Sequence, residues 1–181
     1  MGDMGKDMGD ISEGAVYLSN SLYTGKTGYG VKSMLCTGAA WDSMLDFIKD
    51  RSHNVTSSSS WGNYKNSDTY KVYRGSLYSN STWSAADTTN GSDVTKDTSI
   101  LLTTGATEIN SSKNIYDVAG NYGEWTTEAY DTNYRVIRGG NSSRNGYSYP
   151  ASDRSYSTTP RLLPSYIDFD YSFRPLLYVA L

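Results

Sequence analysis

Apolar positions are sparse along this chain, and where they cluster their spacing is informative. Met8, Ile11, Ala15, Leu18 and Leu22 recur every three or four residues. That period predicts a first helix, which Gly25 and the TGKTGYG stretch bring to an end. Ala40, Trp41, Met44, Leu45 and Ile48 form the apolar stripe of a second helix, and Thr37 stands where its hydroxyl can cap the first turn. Lys49 and Arg51 follow in or just past the last turn, where the helix dipole favours cations. Residues 52–100 are polar, with SSSS at 57–60, Trp-Gly-Asn-Tyr at 61–64 and an alternating Tyr70, Val72, Tyr73 patch. This stretch predicts loops with one or two short strands, and a structureless stretch so long is unusual unless functional. Val136-Ile137 and Leu176 to Val179 read as short buried strands. Gly120 and Gly139-Gly140 mark turns or close backbone approach. Residues 1–10 read as a disordered or truncated N-terminus, and 11–181 as one domain.

Composition changes the picture by showing how little aliphatic material there is. The chain has 181 residues, and 27 Ser, 18 Thr, 17 Gly and 12 Asn make up 74 of them. Tyr alone contributes 17 positions. Net charge is only −3 and aromatics are 13%, so the chain reads as folded, polar and Tyr-rich rather than disordered. One histidine, His53, excludes a three-His zinc site or a His-based iron site. One cysteine, Cys36, excludes an intramolecular disulfide and any Cys-x-x-Cys pair, and reads as a small buried hydrophobe. The lone His53 has no recognisable partners for a Ser-His-Asp set. The acidic balance makes nucleic acid a poor partner, and no apolar run is long enough to span a membrane. The Gly25-Lys26-Thr27 triplet lacks the earlier glycine and the preceding strand of a phosphate-binding loop. No secretory signal is visible in MGDMGKDMGD.

The segment 139–172 stands apart. Of its 34 residues, 18 are Tyr, Ser, Gly or Asn, and all four prolines of the chain lie between 150 and 175. Tyr offers rigid amphipathic contact area, and Ser, Gly and Asn offer adaptable hydrogen bonding, so this is the composition of a recognition surface.

Four motifs follow one another in the second half: AGNYGEWT at 119–126, RVIRGGN at 135–141, ASDR at 151–154 and FRPLL at 173–177. In this order they resemble the formylglycine-generating-enzyme-like (sulfatase-modifying factor) version of the C-type lectin fold. That family reads A-G-N-x-x-E-W, R-x-x-R-G-G-S, A-x-x-R and G-F-R-P. LCTGAAWDSML at 35–45 is similar to its second helix, and the resemblance covers roughly 35–181, with 11–23 as the first helix. It implies an α+β class, with two helices around short antiparallel sheets and much irregular loop. Ser172 and Asn141 depart from the family's Gly and Ser. In this frame Trp125 supplies core area, while Arg138, Arg154 and Arg174 hold the loop backbone. Glu124 and Asp117 are candidate partners of Arg138 and Arg174. The resemblance also implies a Ca²⁺ option at Asn121 and Glu124, against which a plain Glu124–arginine pair is the simpler reading; no resident cofactor or metal is assigned.

The family's oxidases need a C-terminal pair of Cys and its iron enzymes need several His, so the chain reads as non-catalytic. It most resembles the variable proteins of diversity-generating retroelements, whose ligand-binding residues lie between R-G-G and G-F-R. That implies a variable ligand-binding region at about 139–172 with contacts from Asn141, Ser142, Ser143, Arg144, Asn145, Tyr147, Tyr149, Ser155, Tyr156, Ser157, Thr158, Arg161, Leu162, Leu163, Ser165, Tyr166, Asp168, Asp170 and Tyr171. Leu162-Leu163, flanked by Pro160 and Pro164, would form an exposed apolar knob. The expected partner is a protein or cell-surface glycan, on a bacterial or phage surface or virion, with no nucleic acid and no membrane span. A fixed-specificity adhesin or lectin, or an enzyme relic of the same family, are the alternatives.

Overall fold

The computed structural model describes residues 14–23, 30–131, 134–156 and 171–179. It is a mixed α+β structure with two helices and several small antiparallel sheets. The described residues fall into two compact units. The first takes its residues from 14–41, 124–137 and 156–179, the second from 42–123 and 138–155.

In the first unit, α1 (Ala15–Ser21) follows Gly14, which gives it no side-chain cap. The part of the predicted helix before residue 14 lies outside the described residues. Helix α2 (Gly38–Ile48), whose first turn is assigned to this unit and the rest to the second, forms as its spacing predicts: the Thr37 hydroxyl accepts a hydrogen bond from the Ala40 N–H at 3.0 Å. Trp41, Leu45 and Ile48 are buried along its apolar stripe. Strand β1 (Val31–Leu35) pairs antiparallel with the C-terminal strand β13 (Pro175–Val179), from Val31 opposite Val179 to Leu35 opposite Pro175. A four-stranded sheet has the order β11 (Ser155–Tyr156), β10 (Arg135–Arg138), β9 (Gly123–Ala129), β12 (Tyr171–Phe173). Ala15, Leu35, Trp125 and Ile137 make the core here, with Val16, Tyr171 and Phe173 packed against it. Val136 and Ile137 are buried, as expected. The C-terminal strand is not buried: Leu177 is 54% and Tyr178 45% exposed. The physical reason is its place in a two-stranded sheet, where β1 is its only strand neighbour among the described residues.

The second unit corrects the reading of 52–100. Four strands, not one or two, lie between residues 70 and 94: β2 (Tyr70–Val72), β3 (Ser76–Ser79), β4 (Thr82–Ala85) and β5 (Ser92–Val94). β2 pairs with β5, β3 lies between β4 and β6 (Leu101–Leu102), and β7 (Ser111–Ser112) pairs with β8 (Ile115–Tyr116). Two of the connections are two-residue hairpin turns with both residues at positive φ: Asn80-Ser81 at 48° and 63°, and Lys113-Asn114 at 50° and 64°. Such turns match the strand twist, and Asn tolerates the left-handed region better than most residues. Val72, Leu77, Ala86, Val94, Leu102 and Ala106 form a small apolar core.

Beside that core lies a buried polar one. The Asn121 amide accepts from the Leu102 N–H (2.8 Å) and from Asn63 Nδ2 (3.0 Å), and donates to the Leu102 carbonyl (3.0 Å). Asn63 Nδ2 also donates to the Ile100 carbonyl, and Tyr70 Oη to Asn63 Oδ1. Burial pushes the Tyr70 phenol up to about 12, so it stays protonated and able to donate. Gly120 sits at φ +71° against Asn63, where an added Cβ would lie 2.2 Å from the Asn63 carbonyl oxygen. The close approach expected of Gly120 is therefore real. It places the Asn121 N–H on the Asn63 carbonyl at 2.8 Å and the Gly120 N–H on the Gly139 carbonyl at 2.7 Å.

Candidate functional site

Residues 139–152 belong to the second unit, and their backbone is fastened to two partners. One is the 119–121 turn: besides Gly120 on Gly139, the Ser142 N–H donates to the Asn121 carbonyl at 3.0 Å. The other is the polar segment 54–67. The Ser58 N–H donates to the Gly146 carbonyl, the Lys65 N–H to the Arg144 carbonyl and the Ser152 N–H to the Val55 carbonyl, each at 3.0 Å. Side chains complete the mount. Ser58 Oγ accepts from the Ala151 N–H, Asn66 Oδ1 from the Gly146 N–H, and Tyr64 Oη donates to the Gly139 carbonyl at 2.8 Å. Tyr64 is 3% exposed, and burial pushes its phenol well above the usual tyrosine range, so it remains a donor. Gly140, at φ +64°, passes so close to the Tyr149 carbonyl that no Cβ would fit.

The loop also folds on itself. Asn141 Oδ1 accepts from the Ser143 N–H and Oγ, and Asn145 Oδ1 accepts from the Tyr147 N–H. These are the local side-chain to backbone bonds that Asn prefers at turns. What remains outward is specific. Ser143, Arg144, Asn145 and Tyr147 are exposed, Tyr147 by 68%. The Arg144 guanidinium lies 4.9 Å from the centre of the half-buried Tyr149 ring. Asn141 and Ser142, by contrast, are buried at 5% and 1%, so they hold the loop and do not present themselves.

In the first unit, Tyr156 stacks on Tyr130 with ring centres 3.9 Å apart and lies 5.7 Å from Tyr134. Hydrogen bonding to Tyr156 raises the Tyr130 phenol above its ordinary value. Tyr130 and Tyr156 are both substantially exposed. Tyr171 does not face outward: its ring packs on Trp125 at 5.7 Å, at the edge of the core. Ser155 is half-buried. Ser157, Thr158, Arg161, Leu162, Leu163, Ser165, Tyr166, Asp168 and Asp170 lie outside the described residues, as do Pro160, Pro164 and the Gly25-Lys26-Thr27 triplet.

Sequence reasoning missed Tyr130 and Tyr134, which precede the Arg-Gly-Gly motif, and the whole mounting segment 54–67. The only signal for that segment was its length as a polar stretch. The arginines are partly as expected. Arg174 makes two bonds to Glu124, at 3.0 and 2.7 Å. Burial of Glu124 pushes its carboxyl above the usual range, and Arg174 pulls it back only in part. The fully buried guanidinium of Arg138 bonds Asp42 at 2.6 Å, and Arg154 bonds the other oxygen of the same carboxylate. Asp117 accepts from the Gly105 N–H.

Asn121 and Glu124, the side chains a Ca²⁺ site would draw on, are both engaged by protein groups and do not fit that role. Among the described residues no group of three or more His, Cys, Asp or Glu could hold a metal. Cys36 is buried. His53 does have partners: its Nδ1 lies 2.9 Å from Asp50 Oδ1 and its ring meets Trp61 edge-on. This contact holds Asp50 below the usual carboxylate range. No described helix is long and apolar enough to cross a membrane.

These features define a mixed α+β protein with a polar and aromatic loop mounted on a hydrogen-bonded base. No protein-family model matches the chain, and neither a curated protein nor a solved structure matches it.

Proposed function

We propose that this chain is a non-catalytic ligand-binding domain of the C-type-lectin-like, formylglycine-generating-enzyme subtype, and that the 139–172 region is its variable recognition surface. The observation that carries the reading is the division of labour in 139–152. The backbone is fixed by main-chain bonds and buried side chains, while Ser143, Arg144, Asn145 and Tyr147 remain exposed. A surface of that kind can change its side chains without changing its scaffold, which is what a diversified binder needs. The four ordered motifs support the family, as do the Arg174–Glu124 pair and the packing of Trp125 in the core. The target class is a protein or cell-surface glycan of a bacterial or phage host setting.

Sequencing the encoding locus across its source population tests the proposal. Variation confined to codons 141–171, with a nearby near-copy and a reverse-transcriptase gene, is expected. An invariant window would overturn the diversified reading and leave a fixed-specificity adhesin. Where a target is in hand, Tyr147→Ala is expected to weaken binding at unchanged thermal stability, and Tyr156→Ala to weaken binding with a small loss of stability from the Tyr130 stack.

A further inference from the structure

The two segments that are bonded to each other in the second unit share an electrostatic peculiarity. Residues 54–67 and 139–152 together contain Lys65 and Arg144 and not one Asp or Glu, in a chain whose net charge is −3. The two cations are brought together in the chain's path, since the Lys65 N–H binds the Arg144 carbonyl at 3.0 Å. Arg144 has no carboxylate partner among the described residues, and its guanidinium is held over the Tyr149 ring. Stacking of this kind leaves the edge N–H groups of a guanidinium free and reduces the freedom lost when they bind. The acidic residues Asp68 and Asp153 adjoin the ends of the two segments, and the Asp97 N–H donates to the Lys65 carbonyl.

The hydrogen-bonding capacity is equally one-sided. The side-chain amide oxygens of this region are spent inside it: Asn54 on Thr56, Asn66 on Gly146, Asn141 on Ser143 and Asn145 on Tyr147. The donors of Arg144, Lys65 and Asn145 have no such use. The Ser and Tyr hydroxyls around them both donate and accept, so what distinguishes this surface is the cationic donors of Arg144 and Lys65, which suit a ligand group that only accepts. Sugar hydroxyls need acceptors as well as donors, whereas a carboxylate needs donors alone.

We propose that Arg144, clamped on Tyr149 beside the exposed Tyr147, recognises an Asp or Glu side chain of a protein partner. This rests on the reading that the 139–156 region is a binding surface. The test pans a random linear peptide library, displayed on phage, against the full chain. Enriched peptides are expected to carry Asp or Glu and to lose binding when these are replaced by Asn or Gln. Binding should weaken with added salt. Arg144→Glu should lower affinity at least tenfold, and Arg144→Lys, which keeps the charge but loses the planar fork, should lower it by less. Thermal melts of both variants should match the parent. Peptides that depend on Tyr147 but carry no acid and ignore Arg144→Glu would overturn this inference and leave the binding function standing. Failure to enrich any peptide sensitive to Tyr147→Ala or Arg144→Glu would count against both. Oligogalacturonate or inorganic phosphate binding in an Arg144-dependent way, with acidic peptides inert, would move the carboxylate or anion away from a protein source and overturn the proposal.

Discussion

The two units solve the same shortage of aliphatic residues differently. The first fills its core with large apolar pieces: Leu35, Trp125 and Ile137, with Tyr171 and Phe173 at the edge. The second has a small core of Val, Leu and Ala, and beside it buries Asn63, Asn110, Asn121, Arg138, Asn141 and Ser142. Apolar packing is non-directional and tolerates reshaping. A buried amide works only if each of its partners stays in place, and becomes a liability when one is lost. The contrast teaches why the 139–152 loop is fastened within the polar unit. Directional bonds fix a backbone position in a way that a greasy contact does not.

The strongest way to break that comparison is Asn121→Leu. It strands the Leu102 N–H and the Leu102 carbonyl, takes one of its acceptors from the Asn63 amide, and should cost about 4 kcal/mol in urea unfolding. Trp125→Phe in the apolar unit should cost only about 1.5 kcal/mol, because similar apolar shapes repack. Equal costs would erase the distinction. Thr37→Ala removes the cap of α2 and should cost about 1 kcal/mol.

Glu124 gives a smaller effect, read as a slope with pH. Its folded carboxyl titrates above its ordinary value of 4.5, so the folded state holds a proton that the unfolded state releases. Its contribution is complete below 4.5 and fades as pH rises through the folded value. Asp50, Asp87 and Glu108, all held below their ordinary values, act in the opposite sense and lose their contribution as pH falls. The Glu124→Gln variant should therefore lack the fall in stability with rising pH that the parent shows just above pH 4.5. Identical pH profiles would show that Arg174 holds the carboxylate charged throughout. The smallest expected effect is Tyr147→Ala, within about 0.5 kcal/mol of the parent, because the side chain is exposed and its backbone bond survives.

Some of this was legible in the residues and some was not, for physical reasons. Helix α2 was readable because Trp41, Leu45 and Ile48 keep a helical period and Thr37 is a good cap. The strand at Val136-Ile137 was readable because its apolar pair is closely followed by the turn glycines Gly139-Gly140. The hairpins at Asn80-Ser81 and Lys113-Asn114 were hidden: they use no glycine, and β4 is exposed along its whole length, so no alternation marks it. At the candidate site, Tyr147, Tyr156 and Arg144, named from the sequence as contact residues, are exposed. Residue type could not separate them from Asn141 and Ser142, whose burial comes from the mounting bonds. The role of Ser58, Tyr64 and Asn66 was invisible because their partners lie far along the chain.

That distance has a kinetic consequence. The Tyr64 bond to Gly139 spans 75 positions, the Asn66 bond to Gly146 spans 80, and the Ser58 bond to Ala151 spans 93. Closing such spans costs chain entropy before any bond is gained, and high contact order slows folding. On a ribosome the base 54–67 emerges long before the segment it is to hold. The 139–152 segment is thus a late product of folding, assembled onto a platform that must wait for it, and pulse-labelled amide exchange should find residues 142–152 among the last of the second unit to gain protection.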